Sequence, residues 1–121
     1  MKRKQKPEAA LQRLVLDWLA AKHIFSMRMN SGTLMGASGR PVTFGIPGCT
    51  DILVFPRNPI VLFKGQAPWE TIVDRFIPTW IELKAPKGKQ SEFQKSFQAQ
   101  VESEGHRYLL IRDLSELEAK L

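Results

Sequence analysis

The chain has 121 residues, the length of one domain, and its 43% hydrophobic and 25% charged residues are an ordinary globular composition. Its 8 Gly and 8 Pro are near the average share, which excludes collagen-like and low-complexity classes. Its one cysteine, Cys49, excludes an intrachain disulfide and a zinc site built on several thiolates, and its longest apolar runs are far too short to span a membrane. The net charge of +6 favours a polyanionic partner, nucleic acid before an anionic membrane.

The first predicted element is a helix over residues 7–22. Pro7 suits a first helical position. Apolar residues then recur at the spacing of one buried stripe: Leu11, Leu14, Val15, Trp18 and Leu19. By the same spacing Glu8 lies on the inward side of the first turn, where packing alone gives no reason for an acidic side chain.

The next segments alternate between strands and turns. Residues 25–30 and 41–44 predict a hairpin with a long loop. A glycine-rich turn at 45–48 then leads to Asp51 and the apolar run 52–55, which is typical of a strand buried on both faces. Residues 56–59 predict a turn and 60–63 a strand, and 64–79 an irregular segment with room for one helical turn around 69–75.

The last third of the chain predicts strand, helix, strand and helix. In the strand 80–84, the two-residue period places Trp80, Glu82 and Lys84 on one face. Ser91 and Gln94 match a capping box for a helix that ends near Gly105, with a buried stripe of Phe93, Phe97 and Val101. Residues 108–111 predict a strand, and Asp113 or Ser115 is expected to cap a short final helix.

This order of elements predicts one α/β domain over residues 1–121, with a central mixed β-sheet flanked by helices. Residues 1–6 are expected to form a basic, flexible start. No apolar segment follows this start as in a secretory signal, so we expect a reducing, cytoplasmic location (the host cytoplasm if the chain is viral) and no membrane partner.

The candidate chemistry rests on two strands. If the strands that follow Asp51 and contain Glu82 are neighbours, the two carboxylates converge, with Lys84 beside them. Buried carboxylates must be paired or must hold a metal, and hard oxygen ligands suit Mg²⁺ or Mn²⁺. Such a cation, with an ammonium group to hold water or balance charge on phosphate, is what phosphodiester hydrolysis requires.

These residues resemble the VRR-NUC branch of the PD-(D/E)xK nuclease superfamily. The segments that carry the resemblance are 45–51 (GIPGCTD), 80–84 (WIELK), 88–94 (GKQSEFQ), 105–108 (GHRY), 28–32 (RMNSG) and Glu8. The resemblance covers residues 8–113, and its specificity lies in the ordered set of Glu8, Gly48, Asp51, Glu82, Lys84 and Gln94. It implies a restriction-endonuclease-like core.

The resemblance also implies roles for individual residues. Asp51 and Glu82 would ligate the metal, with the main-chain carbonyl of Leu83 and the Glu8 carboxylate as further candidate ligands. Lys84 would be the catalytic lysine, and Gln94 and Glu8 would face the same site. The sequence departs from the family in having Thr50 before Asp51, where the family has proline; the nearby proline is Pro47.

Two further expectations concern partners. Arg28, Asn30, Lys87, Lys89 and Lys95 are the candidate nucleic-acid contacts. We expect an Mg²⁺- or Mn²⁺-dependent DNA endonuclease without an organic cofactor, and the family's stand-alone viral members suggest branched, Holliday-junction-like substrates. Because one chain has one such centre, cutting both strands predicts a homodimer. Residues 64–79 are expected to be an insertion, either a substrate-contacting flap or part of a subunit contact.

Structural interpretations compete with these roles. Asp51 can cap a turn, Glu82 and Lys84 can be an exposed pair on an edge strand, and Glu8 can favour the positive end of its helix. The capping box with Ser91 competes for Gln94, on the expectation that one amide in one rotamer cannot fill both roles. For the whole chain the alternative is a non-catalytic, basic nucleic-acid-binding module. His23, His106 and the basic loop residues can likewise be structural or solvated.

Overall fold

The computed structural model describes residues 7–29, 32–35, 37–44 and 48–121. The predicted basic start at 1–6, the candidate contact Asn30 and residues 45–47 of the glycine-rich turn lie outside the described residues. The elements are α1 (Pro7–Ala21), β1 (Ser26–Arg28), β2 (Gly32–Met35), β3 (Pro41–Phe44), β4 (Ile52–Val54), β5 (Arg57–Leu62), β6 (Thr71–Phe76), β7 (Thr79–Leu83), α2 (Glu92–Ser103), β8 (Arg107–Ile111) and α3 (Leu114–Lys120).

A four-stranded sheet with the order β1-β4-β7-β8 forms the centre of the molecule. β4 is antiparallel to both β1 and β7, while β7 and β8 are parallel, so the sheet is mixed as predicted. Parallel neighbours need a crossover connection, and α2 supplies it between β7 and β8. The chain is therefore a single small α/β domain.

The main core lies between this sheet and the two helices α1 and α3. Its fully buried members are Val15, Leu19, Ile52, Val54, Ile81, Ile111 and Leu117. The residues of β7 alternate, so that Ile81 and Leu83 face this core while Trp80 packs edge-on against Phe97 of α2. The face that carries Trp80 and Glu82 is thus the α2 side of the sheet.

Two predicted core positions are exposed. Leu14 of the α1 stripe and Phe93 of the α2 stripe both lie mostly in solvent, and Phe93 is 67% exposed. Phe93 falls in the first turn of α2, where its main-chain carbonyl abuts the backbone of Gly48 while its ring is free. The remaining stripe residues, Phe97 and Val101, are buried.

The predicted pairing of the first hairpin is wrong. Strand β1 pairs with β4, Met27 opposite Leu53, and not with β3. Strand β3 pairs instead with β2, which lies within the predicted long loop. The burial of β4 explains the difference, because a fully buried strand needs a hydrogen-bonded neighbour on each side.

The largest correction concerns residues 57–76, which we call the arm. The predicted turn at 56–59 and the irregular, partly helical segment at 64–79 are wrong: β5 and β6 form a two-stranded antiparallel ribbon from Arg57–Phe76 to Leu62–Thr71. Pro59 is accommodated because β5 has a partner on one side only. Between β5 and β6, residues 64–70 are irregular as predicted.

Helix starts follow the predicted caps. Ser91 caps α2 with a complete capping box, and Asp113 rather than Ser115 caps α3. Among the helices of the described residues, none has the length and apolar character to cross a bilayer.

Candidate functional site

Strand pairing brings the two predicted carboxylates together. In the antiparallel register of β4 and β7, Ile52 is opposite Ile81, so Asp51 lies next to Glu82. Because Ile52 and Ile81 face the α1 core, Asp51 and Glu82 project to the α2 side. Asp51 Oδ2 accepts a hydrogen bond of 2.8 Å from the main-chain N–H of Leu83, which fixes its carboxylate beside β7.

Glu82 is only 3% exposed. Its Oε1 accepts a 2.8 Å hydrogen bond from Gln94 Nε2 and lies 3.9 Å from Lys84 Nζ. Its Oε2 is buried and has no hydrogen-bond partner among the described residues. Buried polar atoms are nearly always satisfied, so this oxygen requires either a proton or a positively charged ligand.

The electrostatics of the pair point the same way. Burial, and next the negative charge of Asp51, raise the pKa of Glu82 from its ordinary 4.5 to about 8, against the opposing effect of Lys84. Burial likewise raises the pKa of Asp51, although the hydrogen bond from Leu83 opposes it. A cation at this pair would stabilise the ionised forms of both carboxylates, because it offsets their burial and the effect of the Asp51 charge on Glu82.

Lys84 is the one cation directly at this pair among the described residues. Its side chain is 14% exposed, and its main-chain N–H donates to the carbonyl of Ile111 at 3.1 Å, so its backbone is held by β8. The lysine stem passes close to Gly88, where a β-carbon would lie 3.4 Å from Lys84 Cδ. The loop after β7 therefore packs along the stem and leaves the ammonium at the carboxylates.

The hydrogen bonds of Gln94 contradict one expectation from the sequence. Its Oε1 accepts from the main-chain N–H of Ser91 at 2.8 Å, while its Nε2 donates to Glu82. Ser91 Oγ in turn accepts from the main-chain N–H of Gln94 at 3.1 Å. The prediction that capping and site contact exclude each other is wrong, because the two ends of one amide serve the two roles.

Gly48 positions α2 against the carboxylates. Its φ of +78° is unfavourable for other residues, and a β-carbon there would lie 2.2 Å from the carbonyl oxygen of Phe93. Only glycine lets the segment before Asp51 touch the first turn of α2. The sequence placed Gly48 in the motif, but this contact depends on tertiary packing that no local pattern reveals.

Glu8 lies at the rim of the site. Its side chain is exposed, and its Oε1 is 3.4 Å from the main-chain N–H of Ala85, the residue after Lys84. Its charge contributes to the raised pKa values of Asp51 and Glu82. The first turn of α1 thus adds a third carboxylate near the pair, in keeping with the predicted approach of Glu8.

Several polar residues between α2 and the sheet make hydrogen bonds that were not predicted from the sequence. Gln90 Nε2 donates to Tyr108 Oη at 3.0 Å and to Gln98 Oε1 at 2.9 Å, a network that ties β8 to α2. Trp80 Nε1 donates to His106 Nδ1 at 3.0 Å, which confirms the structural role expected for His106. The sequence spacing of these residues gives no signal for their pairing, because each contact depends on how α2 and β8 pack against the sheet.

The basic residues predicted to contact nucleic acid lie at different places on the surface. Lys87 and Lys89 are exposed on the loop after Lys84. The carbonyl of Gly88 in this loop accepts a hydrogen bond of 3.0 Å from the Arg112 guanidinium. Lys95 is exposed on α2 and pairs with Glu92 at 3.3 Å.

Arg28 lies on the opposite side of the sheet. It is paired with the core residue Ile52 and lines a shallow pocket of α1 with Gln12, Arg13 and Asp17. Strand β1 nevertheless reaches the site, since the N–H of Met29 donates to the carbonyl of Asp51 at 2.8 Å. The structure therefore does not bring Arg28 to the carboxylate face.

The donor set fits a hard divalent cation through oxygen atoms. In the described part of the chain, no three side chains of His, Cys, Asp or Glu are grouped as a metal centre. The available ligands are the carboxylate oxygens of Asp51 and Glu82, which belong to the ligand class that Mg²⁺ and Mn²⁺ accept together with water. The unpartnered Glu82 Oε2 is the observation that favours such a ligand.

Cys49 does not add a nucleophile. Burial, together with the charges of Glu82 and Asp51, raises the pKa of its thiol, so it remains protonated at neutral pH. Comparison of the chain with protein-family models, with curated proteins and with solved structures returned no match.

Proposed function

We propose that the chain is a metal-dependent DNA endonuclease that hydrolyses phosphodiester bonds at Asp51, Glu82 and Lys84. The observation that carries the proposal is the buried, unpartnered Oε2 of Glu82 beside a second carboxylate. This arrangement is costly in a purely structural strand, because burial and the negative charge of Asp51 both destabilise the ionised form of Glu82.

The arrangement of elements supports a restriction-endonuclease-like core. The central sheet carries the acidic residues at the start of β4 and within β7, and α2 crosses over to the parallel strand β8. We infer that Asp51, Glu82 and the carbonyl of Leu83 would hold Mg²⁺ or Mn²⁺, with Glu8 at the rim. The bound cation would polarise the phosphate and lower the pKa of an attacking water.

The chain's own residues have distinct tasks in this proposal. Lys84 orients water and compensates negative charge that develops on the phosphate oxygens. Gln94 holds Glu82 in one rotamer through Oε1 and leaves Oε2 for the cation. Leu83 does the same for Asp51 through its main-chain N–H. Lys87 and Lys89, on the adjoining loop, would contact the DNA backbone on either side of the scissile bond.

The net charge of +6 supports DNA as the substrate. Double-stranded or branched DNA requires two cuts, and one chain has one centre, so we propose that two copies act together.

Cleavage of linear and four-way-junction DNA tests the proposal. We expect cleavage in Mg²⁺ or Mn²⁺ and none in excess chelator. Asp51→Asn, Glu82→Gln and Lys84→Met should each lower the rate by about 100-fold or more, the scale of losing one positioned charge. Glu104→Gln, a change at an exposed carboxylate at the end of α2, is the matched control and should cleave at the wild-type rate.

Cleavage that persists in Asp51→Asn or Glu82→Gln would overturn the proposed site. The alternative, a non-catalytic nucleic-acid-binding module, predicts salt-sensitive DNA binding with no metal-dependent cleavage in any variant. The two outcomes are distinguished in the same assay.

A further inference from the structure

Two basic residues follow the ends of neighbouring strands at the carboxylate site. Strands β7 and β8 are parallel, with Leu83 opposite Ile111, and the main-chain N–H of Lys84 donates to the carbonyl of Ile111 at 3.1 Å. Lys84 is the residue after β7, and Arg112 is the residue after β8. Because paired strands lie about 4.8 Å apart, this register brings the backbone of Arg112 close to that of Lys84.

The Arg112 side chain is anchored on the loop between β7 and α2. Its terminal Nη2 donates to the main-chain carbonyl of Gly88 at 3.0 Å. Gly88 also lies along the Lys84 stem, since a β-carbon there would be 3.4 Å from Lys84 Cδ. One loop residue therefore adjoins both basic side chains, and the Arg112 guanidinium is held beside the lysine that the proposed reaction uses.

Arg112 has hydrogen-bonding capacity beyond this anchor. A guanidinium carries five N–H donors in a planar fork, and the carbonyl of Gly88 takes one of them. Arg112 is exposed, so its other donors face solvent. Because the anchor already orients the fork, an anion that binds there costs less side-chain entropy than one that binds a free arginine.

The acidic residues that follow Arg112 in sequence serve the start of α3. Asp113 Oδ1 accepts from the main-chain N–H of Glu116 at 3.1 Å and so caps the helix. Glu116 Oε1 accepts from the main-chain N–H of Arg112 at 3.2 Å, not from its side chain. In the described part of the chain, no carboxylate forms an ion pair with the Arg112 guanidinium. Its positive charge is therefore available to an anion from outside.

The charge of the site favours phosphate as this anion. The acidic side chains Glu8, Asp51 and Glu82 oppose the approach of a phosphate whenever they are ionised, so positive groups beside them have to hold the DNA backbone. A guanidinium can present two parallel N–H groups to two phosphate oxygens, which a lysine ammonium cannot. Lys87 and Lys89, exposed on the same loop, add positive charge around this position.

We propose that Arg112 binds a backbone phosphate of the DNA strand next to the phosphate that is cleaved. Lys84 serves the scissile phosphate, and Arg112, anchored on Gly88, holds its neighbour on the β8 side. The inference rests on the proposed function, because the ligand is the strand that Asp51 and Glu82 cleave. Arg112 is a substrate-binding residue that takes no part in the chemical step, so it contacts substrate and transition state equally.

The salt dependence of DNA binding tests this contact without cleavage. A fluorescein-labelled linear duplex is titrated with the chain in excess chelator at several salt concentrations. Arg112→Gln should weaken binding by about tenfold, the effect of a hydrogen-bonded charged contact. It should also reduce the slope of log K against log salt concentration by about one, because one phosphate contact is lost. Circular dichroism of each variant verifies folding.

Arg107→Gln is the matched control. Arg107 begins β8, at the end of the strand away from the carboxylates, and its guanidinium donates to the carbonyl of Lys120 at 2.9 Å. The control therefore removes the same charge and the same kind of main-chain hydrogen bond, and the salt slope should stay at the wild-type value. A loss of slope in Arg107→Gln equal to that in Arg112→Gln would overturn the inference, because net charge alone would explain both.

Cleavage kinetics in Mg²⁺ or Mn²⁺ locate the phosphate relative to the scissile bond. Arg112→Gln should raise KM about tenfold and leave kcat close to that of the wild type, the pattern of a contact made equally in ground and transition states. The substrates carry one uncharged methylphosphonate, placed in turn at each phosphate that flanks the cleaved bond. At one adjacent position it should raise KM for the wild type and for Arg107→Gln, with no further effect in Arg112→Gln.

The outcomes separate this inference from the proposed function. An unchanged salt slope in Arg112→Gln would overturn the inference, as would methylphosphonate effects that add to the Arg112→Gln effect at every position, since Arg112 would then only hold the loop. A wild-type chain that binds DNA but cleaves none with either metal would overturn the proposed function, while the salt slope would still decide whether Arg112 contacts a phosphate. A chain that binds no DNA would overturn both.

Discussion

Glu82 illustrates what the sequence reveals and omits about a single residue. The two-residue period of β7 correctly separated Glu82 and Trp80 from Ile81 and Leu83. The period could not tell whether the face with Glu82 would be solvent or a second helix. Its near-complete burial arises because α2 returns over this face and supplies Gln94, a contact twelve residues away in sequence.

The raised pKa of Glu82 predicts a pH dependence of stability in the metal-free protein. The folded state holds a proton up to about pH 8, whereas an ordinary glutamate releases it near 4.5. The stabilisation is therefore complete below pH 4.5 and is lost as the pH rises toward 8, with a slope of up to about 1.4 kcal/mol per pH unit. Asp51 contributes in the same direction.

Chemical denaturation of wild type and Glu82→Gln between pH 5 and 9 measures this effect. The free energy of unfolding of Glu82→Gln should exceed that of wild type increasingly as the pH rises. The difference should shrink in excess Mg²⁺ or Mn²⁺, since a cation stabilises the ionised pair. A difference that is independent of pH would show that Glu82 does not titrate as the structure implies.

Sequence periodicity located those elements that bury one face. The apolar spacing predicted α1, β4, β7 and α2 close to their observed bounds, because each of them packs against the core. The arm is exposed on both faces, so its residues carry no such pattern, and Pro59 and the charged residues of 70–75 resemble loop composition. Strand β6 was missed for this physical reason. The register of β4 with β7 was not predicted either, because it pairs strands that the whole arm separates in sequence.

Two substitutions at the start of α2 separate the contribution of the helix cap to stability from the contribution of Gln94 to cleavage. Ser91→Ala removes the acceptor for the N–H of Gln94 and should lower the free energy of unfolding by about 1 kcal/mol, with cleavage close to wild type. Gln94→Glu keeps an acceptor for the N–H of Ser91 but cannot donate to Glu82. We expect a lower free energy of unfolding, because a further carboxylate then faces the buried Glu82. Cleavage should be about tenfold slower, the effect of one hydrogen bond to a charged group.

Urea denaturation and initial cleavage rates give the two readouts. If Ser91→Ala slowed cleavage as much as Gln94→Glu, the contribution of Gln94 would be explained by the helix cap alone.

For the whole molecule, composition and element order were sufficient to predict a single α/β domain with a mixed sheet. They could not predict which surfaces remain open, because exposure is decided by how the chain packs. A groove lined by Trp18, Phe25, Phe55 and Phe76 stays open at the Phe55 end of the sheet, whereas the carboxylate pair at the Asp51 end lies largely buried against α2.

The central claim is that Asp51 and Glu82 jointly hold a divalent cation, and crystals grown with saturating Mn²⁺ and DNA test it most directly. The anomalous difference map should show a peak within about 2.0–2.4 Å of Glu82 Oε2 and of an Asp51 carboxylate oxygen, near the range for hard-cation oxygen ligands. The peak should vanish in Glu82→Gln. A map without a peak at this pair, or a peak that persists in Glu82→Gln, would contradict the account.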